Sequence, residues 1–316
     1  MAPRLSALGR IILMTTLLIA ASTTAFAARY PSYGMLTTKT TPAGVMTVVI
    51  NNTFSSINLF DAHVQSDLAN LIEELQANDT DVRVVLFESG NPEFFISHID
   101  VNYFFPGYED PLPHFDPGLQ NMTFPTALLW NITQLPQATI AVIEGRARGI
   151  GNEFLMSCDM RFASLSPSVL LAQLETSFGL NPGAGGAMYL SRLIGRGLTF
   201  EYVFASKDID AATAERYGWI NRAFLTSAEL REYVQQLAAR IALFPRGGII
   251  GTKQGINAVS RPSMDVLIRD AQNVIDALAA TPAPFALSQN FLKATHNQSL
   301  GDLELNYGTE LESLFK

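Results

Sequence analysis

Apolar positions along the chain follow two periods, and the switching between them sets the expected architecture. Residues 35–40 and Val45–Ile50 are strand-like runs joined by Pro42-Ala43-Gly44, the signal of a hairpin. Val64, Leu68, Leu71, Ile72 and Leu75 then recur at helical spacing, which predicts an amphipathic helix over 61–77. Short continuous apolar runs at 82–87 and Ala138–Ile143 predict strands buried on both faces. Between them, residues 101–136 are rich in aromatics and proline and weakly periodic, so an irregular segment with short helices is expected there. Residues 149–157 read as a turn opening a helix, and 160–163 and 169–172 as strands. A second glycine-rich turn, Pro182-Gly183-Ala184-Gly185-Gly186, opens another helix. Thr226 with Glu229 forms a capping-box pattern ahead of a helix through Leu243. Beyond Gly251 the pattern is helical almost to the end. Strands alternating with helices, then helices alone, predict an α/β layer followed by an all-helical tail.

The first 28 residues obey a different rule. Arg4 and Arg10 precede the apolar run 11–21, and Ala25-Phe26-Ala27 is a small-x-small cleavage pattern. That order is the order of a secretory signal peptide, which would send the protein into the secretory pathway or out of the cell. A mitochondrial transit peptide is the alternative, because no Asp or Glu occurs before Asp61 and Ser and Thr are frequent. The apolar run is too short for a membrane span, so no membrane attachment is expected once the segment is removed. Five N-x-[ST] sequons, at Asn51, Asn78, Asn121, Asn131 and Asn297, are compatible with export.

Composition narrows the chemistry. The chain has 316 residues, is 48% hydrophobic and 16% charged, and carries a net charge of −8. Those values fit a globular protein with ample chain for a core. The acidic balance argues against nucleic acid as a partner. Cys158 is the single cysteine and cannot form an intramolecular disulfide; it is expected to be buried and inert. No C-x-x-C or H-E-x-x-H offers a metal site. With four scattered histidines, carboxylates and main-chain groups are the material left for catalysis.

Gly145-Arg146-Ala147-Arg148-Gly149-Ile150-Gly151 fits G-x-x-x-G-x-G after a predicted strand and before a helix. One reading is a dinucleotide turn, but the motif lies mid-chain and no Tyr-x-x-x-Lys follows. Another is a tight turn that only glycines can make. The third is chemical. A turn feeding a helix leaves backbone N–H groups unpaired at the positive end of the helix dipole, and such a spot stabilises a developing oxyanion. Glu153 lies one turn into that helix, and Glu175 lies on the segment leading to the second glycine-rich turn. Two carboxylates beside an oxyanion hole can hold and activate a water.

The stretch Ala141-Val-Ile-Glu-Gly-Arg-Ala-Arg-Gly-Ile-Gly-Asn-Glu-Phe154 resembles the central signature of the enoyl-CoA hydratase/isomerase (crotonase) superfamily. Gln173-Leu-Glu-Thr-Ser-Phe-Gly-Leu-Asn-Pro-Gly-Ala-Gly-Gly186 resembles its second signature. Asn58-Leu59, the run from Asp210 to Trp219 and Thr252-Lys253-Gln254-Gly255-Ile256-Asn257 resemble further family features in the same order, so the likeness spans about residues 35–300. It implies a crotonase-like spiral of ββα units over 29–250, with a helical assembly region over 251–316 and a homotrimer or homohexamer.

The resemblance also implies roles. The backbone N–H groups of Ile99 and Ile150 form the oxyanion hole, and Glu153 and Glu175 are the catalytic pair. Ser97, His98, Asp100, Tyr103, Gly149 and Lys293 fall at substrate- or CoA-binding positions. No permanent cofactor or metal is implied; coenzyme A arrives as part of an acyl-CoA substrate. Retention of both glutamates favours hydration of an enoyl-CoA. Isomerisation, thioester hydrolysis, a tailoring reaction, or ligand binding without catalysis by an exported protein are the alternatives. The chain departs from the family pattern where Ser97-His98 replaces Ala-Gly and where Ile150 interrupts a run of glycines. If either turn needs positive φ, isoleucine would strain it. Residue types alone leave some roles open. His98 is either an acid–base group or a hydrogen-bonded loop residue. Arg146 and Arg148 either approach CoA phosphates or are solvated and paired. Tyr103, Phe104 and Phe105 line an acyl pocket or belong to the core.

Overall fold

The computed structural model describes residues 30–76, 81–108 and 122–315. The proposed targeting segment, 1–28, lies outside the described residues. The chain divides into a short unit, Met1–Tyr33, and one compact unit, Gly34–Lys316, which carries everything described below.

The unit opens with β1 (Leu36–Thr40) and β2 (Val45–Ile50), an antiparallel hairpin with Leu36 opposite Ile50 and Thr40 opposite Met46. Helix α1 (Ala62–Gln76) follows and buries the stripe Val64, Leu68, Leu71, Ile72 and Leu75. Asp61 starts it, its Oδ1 accepting from the His63 and Val64 N–H groups at 3.0 Å each. Each buried leucine or isoleucine of that stripe contributes roughly 1.5–3 kcal/mol relative to exposure.

Strands then come in pairs that part company. β3 (Val84–Ser89) is followed by β4 (Phe94–Ile96). After α2 (Phe124–Gln134), β5 (Ala138–Ile143) is followed by β6 (Arg146–Arg148). After α3 (Ile150–Ser157), β7 (Met160–Ser164) is followed by β8 (Leu170–Ala172). The first strand of each pair enters a six-stranded sheet of order β1-β2-β3-β5-β7-β10. The second enters a four-stranded sheet, β4-β6-β8-β9. Within each sheet the successive turns pair in parallel. This is the expected spiral of ββα units. The buried, unalternating sequences of β3 and β5 follow from it, since both faces of those strands are covered.

Four helices and two short strands extend the spiral: α4 (Gly186–Leu193), α5 (Arg196–Phe204), β9 (Ile209–Asp210), α6 (Ala211–Tyr217), β10 (Arg222–Phe224) and α7 (Ser227–Ala242). The capping box of α7 forms as expected between Thr226 and Glu229. Leu230, Val234 and Ala238 of α7 close the large sheet over Val84, Leu86, Ile140 and Phe162. The tail consists of α8 (Arg246–Ser260), α9 (Met264–Ala280), α10 (Ala283–Ala294) and short turns through Phe315. Helix α8 starts before position 251, so it runs across the expected boundary. The tail folds back on the spiral: Phe291 and Tyr307 pack with Val101, Leu174, Phe178 and Leu180.

Two expectations change. The strand expected at 82–87 lies two residues later, at Val84–Ser89. The stretch expected as a plain turn after β5 holds a strand, β6, whose two arginines are buried because they are paired. Among the described residues of 101–136 the helical pieces are a short 3-10 turn, Val101–Phe104, and α2; residues 109–121 lie outside them.

Gly151 permits the closest approach in this region. A Cβ there would stand 2.2 Å from the carbonyl oxygen of Ile96 on β4. Helix propensity alone makes Gly151→Ala stabilising by about 0.8–1 kcal/mol. The clash with main chain reverses the sign, and a net loss of about 3 kcal/mol is expected. Thermal unfolding should show Tm lowered by roughly 6–12 °C; an unchanged or raised Tm would show that α3 does not lie against β4 as described.

Candidate active site

Gly149 carries the unusual backbone at the head of α3, with φ 52° and ψ −123°. Ile150 therefore enters the helix outside the positive-φ region, and Ile99 also avoids it. The strain expected of these isoleucines does not arise, because the neighbouring glycine absorbs it. Among the described residues, neither the Ile99 nor the Ile150 N–H donates to a backbone carbonyl. Both residues line one cavity of about 40 Å³, together with His98, Gly149 and Glu175. Its other walls are apolar, among them Val101, Phe104, Phe178 and Phe291. As it stands the cavity has room for about one water, whose share of liquid volume is ≈ 30 Å³.

The loop bearing Ile99 is held from below by Asn58. Its φ of 54° is one that asparagine tolerates. Its side-chain amide donates to Phe95 O at 2.6 Å and Ser89 Oγ at 3.0 Å, while its Oδ1 accepts from Asn52 N at 2.8 Å. The ends of β2, β3 and β4 are thereby tied to the start of the loop.

Glu153, on α3, and Glu175, on the 3-10 turn after β8, stand close enough for their charges to interact. Glu153 is buried, and its Oε1 accepts from the main-chain N–H groups of Ala184, at 2.9 Å, and Gly186, at 2.8 Å. The second glycine-rich turn is thus a carboxylate cradle. A Cβ on Gly186 would stand 2.9 Å from that same oxygen. Glu175 begins the short 3-10 turn Glu175–Phe178 and faces the cavity. A Cβ on Gly149 would stand 2.8 Å from its Oε1. Glu175 lines the cavity and Glu153 does not; Glu153 sits behind it against the turn.

A third carboxylate completes the cluster. Asp270 on α9 is buried, accepts from Gly185 N at 3.2 Å, and receives the Asn181 side-chain amide at 2.9 Å. Alternate amides of one turn therefore go to Glu153 and to Asp270. Burial, then the Glu175 charge, push Glu153 well above the ordinary carboxylate range, against the Gly186 and Ala184 N–H groups. Burial lifts Glu175 to about 7, with Asp270 adding to the rise and His98 opposing it. Burial raises Asp270 to about 6 despite the Gly185 and Asn181 hydrogen bonds. All three bind protons more tightly folded than unfolded, so their effect on stability becomes less favourable as pH rises from about 4 toward 7.

His98 is both a wall of the cavity and a fixed residue. Its Nδ1 lies 2.7 Å from Ile99 O and its Nε2 3.1 Å from Glu304 Oε2, both partners accepting. The doubly protonated ring satisfies both. Burial pulls its pKa down, but the Glu304 charge and hydrogen bond, with the Ile99 carbonyl, raise it above the usual value. The pair's contribution is complete below the ordinary imidazole value, ~6.5, and is lost as pH rises through the folded one. A free acid–base role for His98 is not what this geometry offers, since both ring nitrogens are engaged.

The other expected binding residues scatter. Ser97 is buried, and its hydroxyl has no hydrogen-bond partner among the described residues. Asp100 caps the 3-10 turn Val101–Phe104 and accepts from Gln298. Tyr103 packs edge-on against Phe104 and Tyr108 and does not line the cavity; Phe104 does. Lys293 is exposed on α10 and does not line the cavity. Arg146 and Arg148 are not solvated: they are buried against Glu93, at 2.7 Å, and Asp208, at 2.8 Å. Asp270 and Glu304 are not among the residues that the sequence motifs single out. Asp270 had a signal, since Leu267, Asp270, Ala271 and Val274 fall at i, i+3, i+4 and i+7, placing a carboxylate within a core stripe.

A profile of the Enoyl-CoA hydratase/isomerase family matches residues 40–279. The chain is 26% identical over 225 residues to the short-chain-enoyl-CoA hydratase of Clostridium acetobutylicum, covering 71% of this chain and 82% of that protein. It is 32% identical over 172 residues to human enoyl-CoA hydratase domain-containing protein 2, mitochondrial, covering 54% of each. A crystal structure from Streptomyces avermitilis matches with a TM-score of 0.76 at 35% identity, covering 89% of this chain and 98% of that one. This chain belongs to the enoyl-CoA hydratase/isomerase family, with the crotonase fold.

Asp270 raises its neighbours through its negative charge, so Asp270→Asn should lower the apparent pKa of the Glu153–Glu175 pair. A carboxyl ¹³C NMR titration of glutamate-labelled protein reads this directly. A pair that titrates at unchanged or higher pH would show that Asp270 does not act on it.

Proposed function

We propose that the chain hydrates an α,β-unsaturated acyl-CoA thioester, or catalyses the reverse dehydration. The observation that carries the reading is that the unpaired amides of Ile99 and Ile150 and the carboxyl of Glu175 line one cavity. In this reading the thioester oxygen sits between the two N–H groups, which stabilise its enolate-like charge. Glu175 and Glu153 share a water. Its oxygen adds at Cβ, one of its protons goes to the basic carboxylate, and a proton from the acidic carboxyl reaches Cα. With Glu175 raised to about 7, one proton shared by the pair near neutral pH supplies both an acid and a base. Coenzyme A enters as part of the substrate, and no step calls for a metal.

A second reading, double-bond isomerisation, draws on the position of Glu153. Its Oε1 is committed to two amides and it stands back from the cavity, which leaves Glu175 as the carboxylate on the wall. One wall carboxylate can carry a proton from one carbon to another without adding water. The same proposal takes 29–250 as the catalytic spiral, 251–316 as an assembly region of a homotrimer or homohexamer, and 1–28 as a targeting segment. The mitochondrial relative and the use of CoA support the mitochondrial alternative over export.

Crotonyl-CoA turnover distinguishes these outcomes. Wild type should produce the 3-hydroxyacyl thioester, and Glu175→Gln and Glu153→Gln should each lower kcat by about 10²–10⁴. No thioester turnover, or unchanged turnover in both variants, would refute the proposal. A 3-enoyl substrate converted without water incorporation, with no hydration of crotonyl-CoA, would select isomerisation.

A further inference from the structure

A second cavity lies at the other end of α3. It encloses about 800 Å³ between β7, the end of α4 and helix α8. Helix α3 has eight residues, so the two cavities are separated by a helix of roughly 12 Å. Its walls include the apolar side chains of Met156, Met160, Ile241, Phe244, Ile249 and Ile256. Four cationic residues, Arg161, Arg192, Lys253 and Arg261, also line it, with Asp159 the one carboxylate among its lining residues.

That carboxylate is already in use. Asp159 Oδ2 accepts from Thr139 N at 2.8 Å and from Lys253 Nζ at 2.9 Å, and Arg261 Nη2 stands 3.8 Å from its Oδ1. The positive charge is therefore in excess. Arg161 spends its donors on the carbonyls of Trp219 and Cys158 and forms no ion pair among the described residues, although it feels the Asp159 charge. Burial lowers it to about 10 and lowers Lys253 as well. The Arg261 side chain is nine-tenths buried. Its Nε donates to Asn257 Oδ1 and its Nη2 to Ser157 O, and its guanidinium faces the Tyr189 ring. Its Nη1, buried, makes no well-formed hydrogen bond among the described residues, although the Tyr189 hydroxyl interacts with the guanidinium. Unpaired buried donors on a cation are costly, and an anion at this point would remove that cost.

We propose that this cleft binds a single-chain amphipathic anion, its carboxylate or phosphate head on Arg261 and its aliphatic chain along the Ile256–Phe244 wall. The excess cations select the sign of the head, and a guanidinium with a free N–H suits its oxygen atoms. The size falls in the range of pockets that take such ligands, ≈ 300–1,000 Å³. The site is separate from the Glu153–Glu175 cluster, and the proposal stands whether or not the chain hydrates enoyl-CoA.

Calorimetric titration of the full chain with decanoate, decyl phosphate and inorganic phosphate tests it. Decanoate or decyl phosphate should bind with one site per chain. Arg261→Gln should weaken binding at least tenfold, and Arg192→Glu, at an exposed position whose change leaves the core intact, several-fold. Glu175→Gln should bind as wild type does. The stronger of the two alkyl probes identifies the head, carboxylate or phosphate. Four results would overturn the proposal: no binding of either alkyl probe; equal binding by wild type and Arg192→Glu; inorganic phosphate binding as tightly as the alkyl anions; or an oligomer in which a second copy fills the cleft and excludes the probes.

Discussion

The carboxylate of Glu153 is held inside the protein by two main-chain amides, those of Ala184 and Gly186. A buried carboxylate without such donors would be destabilising by several kcal/mol, or would simply take up a proton. The turn that supplies them is itself clamped from the far side, because the intervening amide of Gly185 is given to Asp270. One short loop thus fixes two acidic groups and brings a third, Glu175, under their influence. Glycine is required by contact, not only by conformation: side chains at Gly149 or Gly186 would occupy the space of the Glu175 and Glu153 carboxylates. The raised proton affinities of all three acids follow from this crowding in a dry place.

The C-terminal segment is the other half of the construction. Gln298 accepts from Val101 N and donates to Asp100, Glu304 pairs with His98, and Arg146 and Arg148 hydrogen-bond the carbonyls of Leu305 and Glu304. Phe291 then closes the cavity. Where the family pattern has a small residue before the Ile99 position, this chain has a histidine whose charge is compensated from a helix turn 206 residues away in sequence. The loop and the tail are therefore one unit electrostatically, and a change at Glu304 is a change at the cavity wall.

Much of this was legible from residue patterns. The hairpin, α1, β5, the capping box and both glycine-rich turns lie where periodicity and turn chemistry put them, because each depends on neighbours in sequence. Ile99, Ile150, Glu175 and His98 do share a cavity. What escaped had long-range causes. Strand β6 is three residues long, with its two arginines buried, and only its pairing with β4 and β8 makes it a strand. The pairing of His98 with Glu304, the clamp of Asp270 on the turn and the retreat of Glu153 from the cavity wall all depend on how the tail folds back, which no local pattern records. The strain expected at Ile150 failed for a local reason, since one residue of difference in register gave the positive φ to Gly149.

Hydration at this site requires the Ile99 and Ile150 amides to polarise a thioester carbonyl. Infrared difference spectroscopy of crotonyl-CoA labelled with ¹³C at C1, bound to the Glu175→Gln variant to block turnover, measures that carbonyl directly. Its stretch should move to lower frequency than in free substrate. A bound thioester whose carbonyl stretch matches that in water, or lies higher, would mean that these two amides do not hold it.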